Sequence, residues 1–213
     1  MTRIKICGLT READVDDALD AGADALGFVL WHKSPRHVAL QRAAALIARM
    51  PPFVTPVLLF VNPSQAELRA ATDLLPQALL QFHGDENPEF CAAAGRPYVR
   101  AARMAPGFDL LNFAVRFSSA QALLLDADVE AYGGGGKVFD WSLLPPSVPL
   151  PVVLSGGLNP ANVTDGISRV RPWAVDVSTG VESAVPGQKG IKNAALMRRF
   201  CKAVRDIDAR LAA

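Results

Sequence analysis

Cys7 and Asp126 are the residues of this chain whose types and positions best suit proton transfer. Ile4 and Ile6 alternate with Arg3 and Lys5 as in a half-buried strand, and Cys7-Gly8 ends that run just before Thr10, which can cap a helix. A thiol thus stands at the carboxyl end of a first strand. Leu123-Leu124-Leu125-Asp126 puts a carboxylate at the end of a sixth. A thiolate can accept a proton, and a rim aspartate among apolar neighbours can hold one for donation, so the two form a candidate base and acid. A free thiol, with a pKa of about 8.5, is only a few per cent ionised at neutral pH, so Cys7 needs electropositive help. Alternation sends Lys5 to the opposite face from Ile4 and Ile6, and it is not assigned that task. Taken singly, Cys7 also reads as a small buried apolar residue and Asp126 as a turn cap.

A second kind of chemistry is written in the glycines. Val152-Val153-Leu154-Ser155-Gly156-Gly157-Leu158-Asn159-Pro160 reads as a seventh strand, a double glycine and a new helix. Adjacent glycines let backbone N–H groups approach an anion without Cβ atoms in the way. Ala174-Val175-Asp176-Val177 followed by Ser178-Thr179-Gly180 repeats the design with added hydroxyls. Two such loops in succession favour a phosphate site. The run Gly133-Gly134-Gly135-Gly136-Lys137 is not a nucleotide loop, because Ala131 replaces the first required glycine and Val138 the hydroxyl that would follow the lysine. It reads instead as a flexible segment over the site, with Lys137 near the ligand.

Strand-like segments are expected near Arg3 to Cys7, Ala25 to Leu30, Val54 to Val61, Ala78 to Phe82, Tyr98 to Ala101, Ala122 to Asp126, Val152 to Ser155 and Ala174 to Val177. Helical periodicity fills the gaps near Glu12 to Ala21, Leu40 to Met50, Ser64 to Leu75, Glu89 to Ala94, Phe108 to Val115, Ala161 to Val170 and Ala194 to Ala212, with mostly loop after the sixth strand. Eight strands alternating with helices in 213 residues fit a single-domain, closed (β/α)8 or TIM barrel. An open doubly wound sheet would show a Gly-rich dinucleotide turn after its first strand, and this chain has Cys7-Gly8-Leu9-Thr10 there.

Lys and Arg number 22 against 21 Asp and Glu, with no basic stripe of the kind that binds nucleic acid, so a small-molecule ligand is expected. No apolar run approaches the roughly 20 residues that span a bilayer, and Met1 leads directly into a strand, so a cytoplasmic protein is expected. Cys7, Cys91 and Cys201 are widely spaced and read as free thiols; neither they nor His32, His37 and His83 have metal-ligand spacing.

The chain resembles the phosphoribosylanthranilate isomerase family of tryptophan biosynthesis nearly end to end. The matching blocks begin with Lys5 to Thr10, Gly22 to Ala25, Gly27-Phe28-Val29 and Lys33-Ser34-Pro35-Arg36. They continue through Phe60-Val61-Asn62, Gln81-Phe82-His83-Gly84, Leu124-Leu125-Asp126, Gly136-Lys137 with Phe139-Asp140-Trp141, Leu154 to Pro160 and Asp176 to Glu182. The resemblance implies a cofactor-independent Amadori rearrangement of N-(5-phosphoribosyl)anthranilate, a phosphosugar, to 1-(2-carboxyphenylamino)-1-deoxyribulose 5-phosphate. It makes Cys7 the general base at ribose C2 and Asp126 the general acid at the ring oxygen. It makes Arg36 the contact for the anthranilate carboxylate, Gln81 and His83 pocket residues, and Asp176 an orienter of ligand hydroxyls. It leaves monomer and homodimer both open. Two departures stand out: Gly135 where relatives carry Ser or Thr, and Lys189-Gly190 in place of a lysine-aspartate pair, which leaves the start of the last helix open. The related histidine-pathway isomerase would need an aspartate in place of Cys7 and a second anion site, and a non-catalytic phosphosugar-binding barrel would have no use for Cys7 and Asp126.

Overall fold

The computed structural model describes residues 1–127 and 138–212. Its eight strands are β1 (Arg3–Cys7), β2 (Ala25–Val29), β3 (Thr55–Phe60), β4 (Leu79–Phe82), β5 (Tyr98–Met104), β6 (Ala122–Ala127), β7 (Val152–Leu154) and β8 (Ala174–Val177). They pair in parallel in sequence order, and β8 returns to β1 to close the barrel. The helices are α1 (Glu12–Asp20), α2 (Leu40–Ile47), α3 (Gln65–Leu74), α4 (Pro88–Ala93), α5 (Leu110–Arg116), α6 (Val163–Val170) and α7 (Ala194–Ala212). Among the described residues, no helix is long and apolar enough to cross a membrane.

Strand alternation splits the apolar residues into two cores. Ile4, Ile6, Leu26, Phe28, Leu58, Phe60, Leu80, Phe82, Leu123 and Leu125 join the large cluster that also holds the buried faces of the helices. Residues of opposite parity, Val99, Ala101, Ala122, Leu124, Val153 and Ala174, form a separate plug inside the barrel. Small alanines suit that narrow interior. Inward residues one or two steps further along the strands are therefore lifted above this plug toward the mouth.

The expected elements are all present, with boundaries moved by local chemistry. Thr10 does not cap α1; Arg11 occupies the cap position without a side-chain cap bond, and its guanidinium bonds Asp14 instead. Ser64 and Glu67 form a reciprocal capping box on α3, and Asn87 accepts from Phe90 N ahead of Pro88 on α4. β5 runs to Met104, beyond the expected Ala101, because Arg103 and Met104 continue the ladder against Asp126 and Ala127. α6 starts at Val163 because Asn159 spends its side chain on a turn, accepting from Ala161 N at 2.8 Å. The start of α7 is also defined: Asn193 Oδ1 accepts from Leu196 N at 3.0 Å, while Lys189 is exposed and Lys192 is the lysine that turns inward.

Behind the β4 loop lies a buried clamp. Arg100 donates to the carbonyls of Phe82 and Gly84, each at 2.9 Å, and its guanidinium carbon sits 4.8 Å from the Phe117 ring centroid. Its carboxylate partner, Glu86, lies 3.4 Å away and accepts from Asn62 N and Gly84 N at 2.8 and 2.9 Å. This cluster fixes the backbone on either side of His83. Removing the cation alone strands a buried carboxylate, so Arg100→Met is expected to cost about 3–5 kcal/mol in urea unfolding.

Candidate active site

The β1 strand delivers more than a thiol. Lys5 and Cys7 share a parity, so both point inward while Ile4 and Ile6 pack outward. Lys5 therefore does reach the thiol's side of the strand, contrary to the expectation from sequence: being opposite to Ile4 and Ile6 puts it on the face of Cys7. Lys5 lies in register with Asp176 of β8, and its Nζ donates to Asp176 Oδ1 at 2.8 Å; Ser155 Oγ donates to Asp176 Oδ2 at 3.3 Å. Cys7 is only 4% exposed. Burial pushes its thiol pKa up, and the Lys5 ammonium pulls against that rise. Asp176 in turn keeps Lys5 protonated, its charge and hydrogen bond outweighing the burial that works against them. Gly27 stands beside the thiol, where a Cβ would come within 2.7 Å of Cys7 Sγ. Val29, Leu59 and Val61 complete an apolar patch with Cys7, and Trp31 packs against it.

Asp126, the next-to-last residue of β6, lies on the same inward parity as Leu124. Its Oδ1 accepts from Ala127 N at 3.0 Å, and its Oδ2 lies 3.0 Å from His83 Nε2. His83 Nδ1 is in turn 3.0 Å from Gln81 Nε2. Gly156, with φ +75°, is what lets the β7 loop close on this carboxylate: a Cβ there would stand 3.1 Å from Asp126 Oδ1 and 2.6 Å from Ala127 N.

The loops expected to hold phosphate are locked to each other and to Arg36. Gly157 also takes a positive φ of 66°, and a Cβ on Gly180 would meet Leu158 O at 1.9 Å, so only glycine allows the β7 and β8 loops this contact. Arg36 forks onto Glu182, with Nε at 2.5 Å from Oε1 and Nη2 at 3.0 Å from Oε2, and Nη2 also reaches Thr179 Oγ1 at 3.0 Å. Lys192 Nζ donates to Glu182 Oε1 at 3.0 Å and to Ser178 O and Oγ at 3.1 and 3.2 Å. The structure thus brings Cys7, Asp126, Arg36, Gln81, His83, Asp176, Gly156, Gly157, Ser178, Thr179 and Gly180 to strand ends or adjoining loops at one mouth. Lys137 lies outside the described residues, as does Gly135.

Ser155, Glu182 and Lys192 join the site beyond the residues that the sequence marks, and Lys5 joins it against the sequence expectation. Parity with Cys7 was the available signal for Lys5. Nothing local marks Lys192 as buried, because its burial comes from Glu182 and Ser178 on another loop.

Residues 4–203 match the family described as N-(5'-phosphoribosyl)anthranilate (PRA) isomerase. The chain belongs to that family. The N-(5'-phosphoribosyl)anthranilate isomerase of Leptothrix cholodnii is 70% identical over 209 residues, which cover 98% of this chain and 93% of the relative. The crystal structure of the Thermotoga maritima enzyme superposes with a TM-score of 0.86 at 36% identity, covering 97% of this chain and all (100%) of that one. A phosphoribosyl anthranilate isomerase in complex with reduced 1-(o-carboxyphenylamino)-1-deoxyribulose 5-phosphate superposes at 0.83 with 34% identity, covering 97% and 100% of the two chains. The chain is accordingly a TIM-barrel phosphoribosylanthranilate isomerase of tryptophan biosynthesis in family terms.

Glu182 shows how the charges at this mouth act on one another. Burial opposes its ionisation, yet the hydrogen bond from Arg36 and the charges of Lys192 and Arg36 hold its pKa down at about 2, below the usual 4.5. A depressed carboxyl stabilises the fold above its unfolded pKa and loses that contribution as pH falls through the folded one. Stability measured by urea unfolding is therefore expected to drop between about pH 4.5 and pH 2, and Glu182→Gln should flatten that limb while lowering stability at neutral pH.

Proposed function

We propose that in this chain Cys7 is the general base and Asp126 the general acid of the Amadori rearrangement of N-(5-phosphoribosyl)anthranilate to 1-(2-carboxyphenylamino)-1-deoxyribulose 5-phosphate. Asp126 gives its proton to the furanose ring oxygen as the C1–O bond breaks, and the anilino nitrogen's lone pair forms a protonated Schiff base at C1. That cation draws electrons from C2, whose proton passes to Cys7 Sγ. The resulting enolamine tautomerises to the 2-ketone. Nitrogen is the electron sink throughout, so the scheme uses no metal or cofactor. Each positioned proton transfer contributes about 10²- to 10⁴-fold in rate.

The observation that carries this reading is the Lys5 ammonium on the inward face of Cys7, held 2.8 Å from Asp176. It supplies the positive charge a buried thiolate needs. Asp176, whose oxygens already accept from Lys5 and Ser155, acts on the sugar through Lys5. The ester phosphate is placed on Gly156, Gly157, Ser178, Thr179 and Gly180. Positive φ at the paired glycines, the hydroxyls of Ser178 and Thr179, and the loop contact at Gly180 support that placement. Arg36, whose fork on Glu182 fixes its plane, takes the anthranilate carboxylate, and the ring rests on Val29, Leu59, Val61 and Trp31. Lys137 is placed near the sugar by family resemblance alone. The cytoplasm is the compartment we propose, in keeping with three free, buried cysteines.

Loss of substrate fluorescence with purified protein tests the scheme. Cys7→Ala and Asp126→Asn should each abolish turnover while phosphate-ligand binding survives. Near wild-type turnover in either variant would remove that residue from the mechanism, and an inert wild-type protein that still binds phosphate would favour a purely binding barrel. A base acts when deprotonated, so kcat/KM rises with pH through the Cys7 pKa. Removing the charge that lowers this pKa, in Lys5→Met, should move that limb to higher pH and depress the rate at neutral pH.

A further inference from the structure

The barrel mouth contains a polar chain that the two assigned proton transfers leave unexplained. Gln81 and His83 sit two residues apart at the end of β4 and share its inward face. Gln81 Nε2 lies 3.0 Å from His83 Nδ1, and His83 Nε2 lies 3.0 Å from Asp126 Oδ2. Gln81 is 1% exposed, and its Oε1 is buried with no hydrogen-bond partner among the described residues. A buried orphan carbonyl costs about 1–3 kcal/mol, so this amide is a poor choice for stability alone. Among the described residues its side chain's one polar contact is with His83.

An amide N–H can only donate, and a neutral imidazole carries one proton on one of its two nitrogens. With Gln81 donating to Nδ1, that nitrogen is bare and the ring proton stands on Nε2, aimed at Asp126 Oδ2. Both Asp126 oxygens then accept, Oδ2 from His83 and Oδ1 from Ala127 N at 3.0 Å. Each oxygen keeps a further lone pair, so these two donors hold the carboxyl group in place while it still carries a transferable proton.

We propose that Gln81 and His83 are positioning residues for Asp126. Gln81 fixes the Nε2–H tautomer of His83, and His83 donates to Oδ2, orienting the carboxyl group and stabilising the carboxylate that proton transfer leaves behind. Taking Asp126 as the general acid, on which this inference rests, its carboxyl O–H bond breaks, the proton passes to the sugar ring oxygen, and the C1–O bond opens. His83 gives up no proton. Its N–H bond to Oδ2 goes from a neutral to a charge-assisted hydrogen bond as the carboxylate forms, so it is stronger after transfer than before. Interactions that strengthen toward the transition state raise kcat rather than affinity.

The test combines turnover with ¹⁵N NMR of the histidine rings in the 213-residue chain, which has three histidines; His83 is assigned by its loss in His83→Gln. The wild-type protein at neutral pH should show His83 neutral, with its proton on Nε2 and Nδ1 bare. Gln81→Glu replaces the donor by a carboxylate that can only accept, and should move a proton onto Nδ1. It should lower kcat about 10- to 100-fold, as found for partners standing behind metal-bound histidines, with KM nearly unchanged. Gln81→Met, which keeps the volume and drops the hydrogen bond, should lose the tautomer bias and fall between the two. A wild-type His83 protonated on Nδ1 overturns the proposal, as does a Gln81→Glu variant that shifts the ring proton yet keeps wild-type kcat. Should Gln81→Glu fail to fold, the wild-type ring spectrum and Gln81→Met still decide. An active Asp126→Asn would instead remove the acid itself, whereas an inactive Asp126→Asn beside a fully active Gln81→Glu defeats only this inference.

Discussion

Lys5 and Asp176 face each other across the seam where β8 meets β1, and this buried ion pair serves two functions. Their parallel register makes them neighbours, and their 2.8 Å contact ties the last strand to the first inside the barrel. Charges buried this deeply lose hydration, and an apolar pair of matching volume is often as stable or more so. The ammonium is better explained by what it does to Cys7, two residues along on the same face. An attraction that is weak in water becomes strong where water is excluded, so one lysine can counter much of the desolvation that burial imposes on a thiolate.

The same trade recurs one layer further out. Arg36, Glu182, Lys192 and Ser178 form a continuous charged bridge between the β2 loop and the β8 loop. Because the guanidinium is forked onto a carboxylate, its plane is set before any ligand arrives, which reduces the ordering cost of recognising a planar carboxylate. Gly8 makes room for that arrangement, since a Cβ there would stand 2.4 Å from Arg36 Cδ. Gly156 and Gly180 do likewise for Asp126 and for the paired loops. Several glycines of this chain are thus explained by the side chain or carbonyl that passes over them as much as by an anion.

Most of the barrel was legible because alternation and helical period are local properties. The eight strands and seven helices fall where period and punctuation put them, and Cys7, Asp126 and the two glycine loops stand at strand ends because strand length is local as well. What escaped was pairwise. Alternation sets Lys5 against Ile4 and Ile6, whereas the informative comparison is with Cys7, and only the closed barrel reveals that the face opposite Ile4 and Ile6 is itself buried rather than wet. Lys192 and Glu182 look like loop charges until the fold brings them within 3.0 Å. Thr10 looked like a cap, but Arg11 and Asp14 satisfy each other across the first turn of α1 without it.

Burying the thiol proposed as the base sets two effects against each other. Desolvation alone pushes the Cys7 pKa up, which lowers the fraction present as thiolate. It also makes the thiolate that does form a stronger base, and proton abstraction from carbon gains from base strength as well as from thiolate population. An exposed thiolate with a low pKa would be abundant and weak; a buried thiol without a cation would be strong and almost never ionised. Setting a permanently charged ammonium two residues behind a dry thiol lies between those limits. The apolar patch of Val29, Leu59 and Val61 keeps water away on one side while Lys5 and Asp176 supply charge on the other. The inward face of β1 therefore works as a unit, and shifting the strand by one residue would replace its thiol and ammonium with isoleucines.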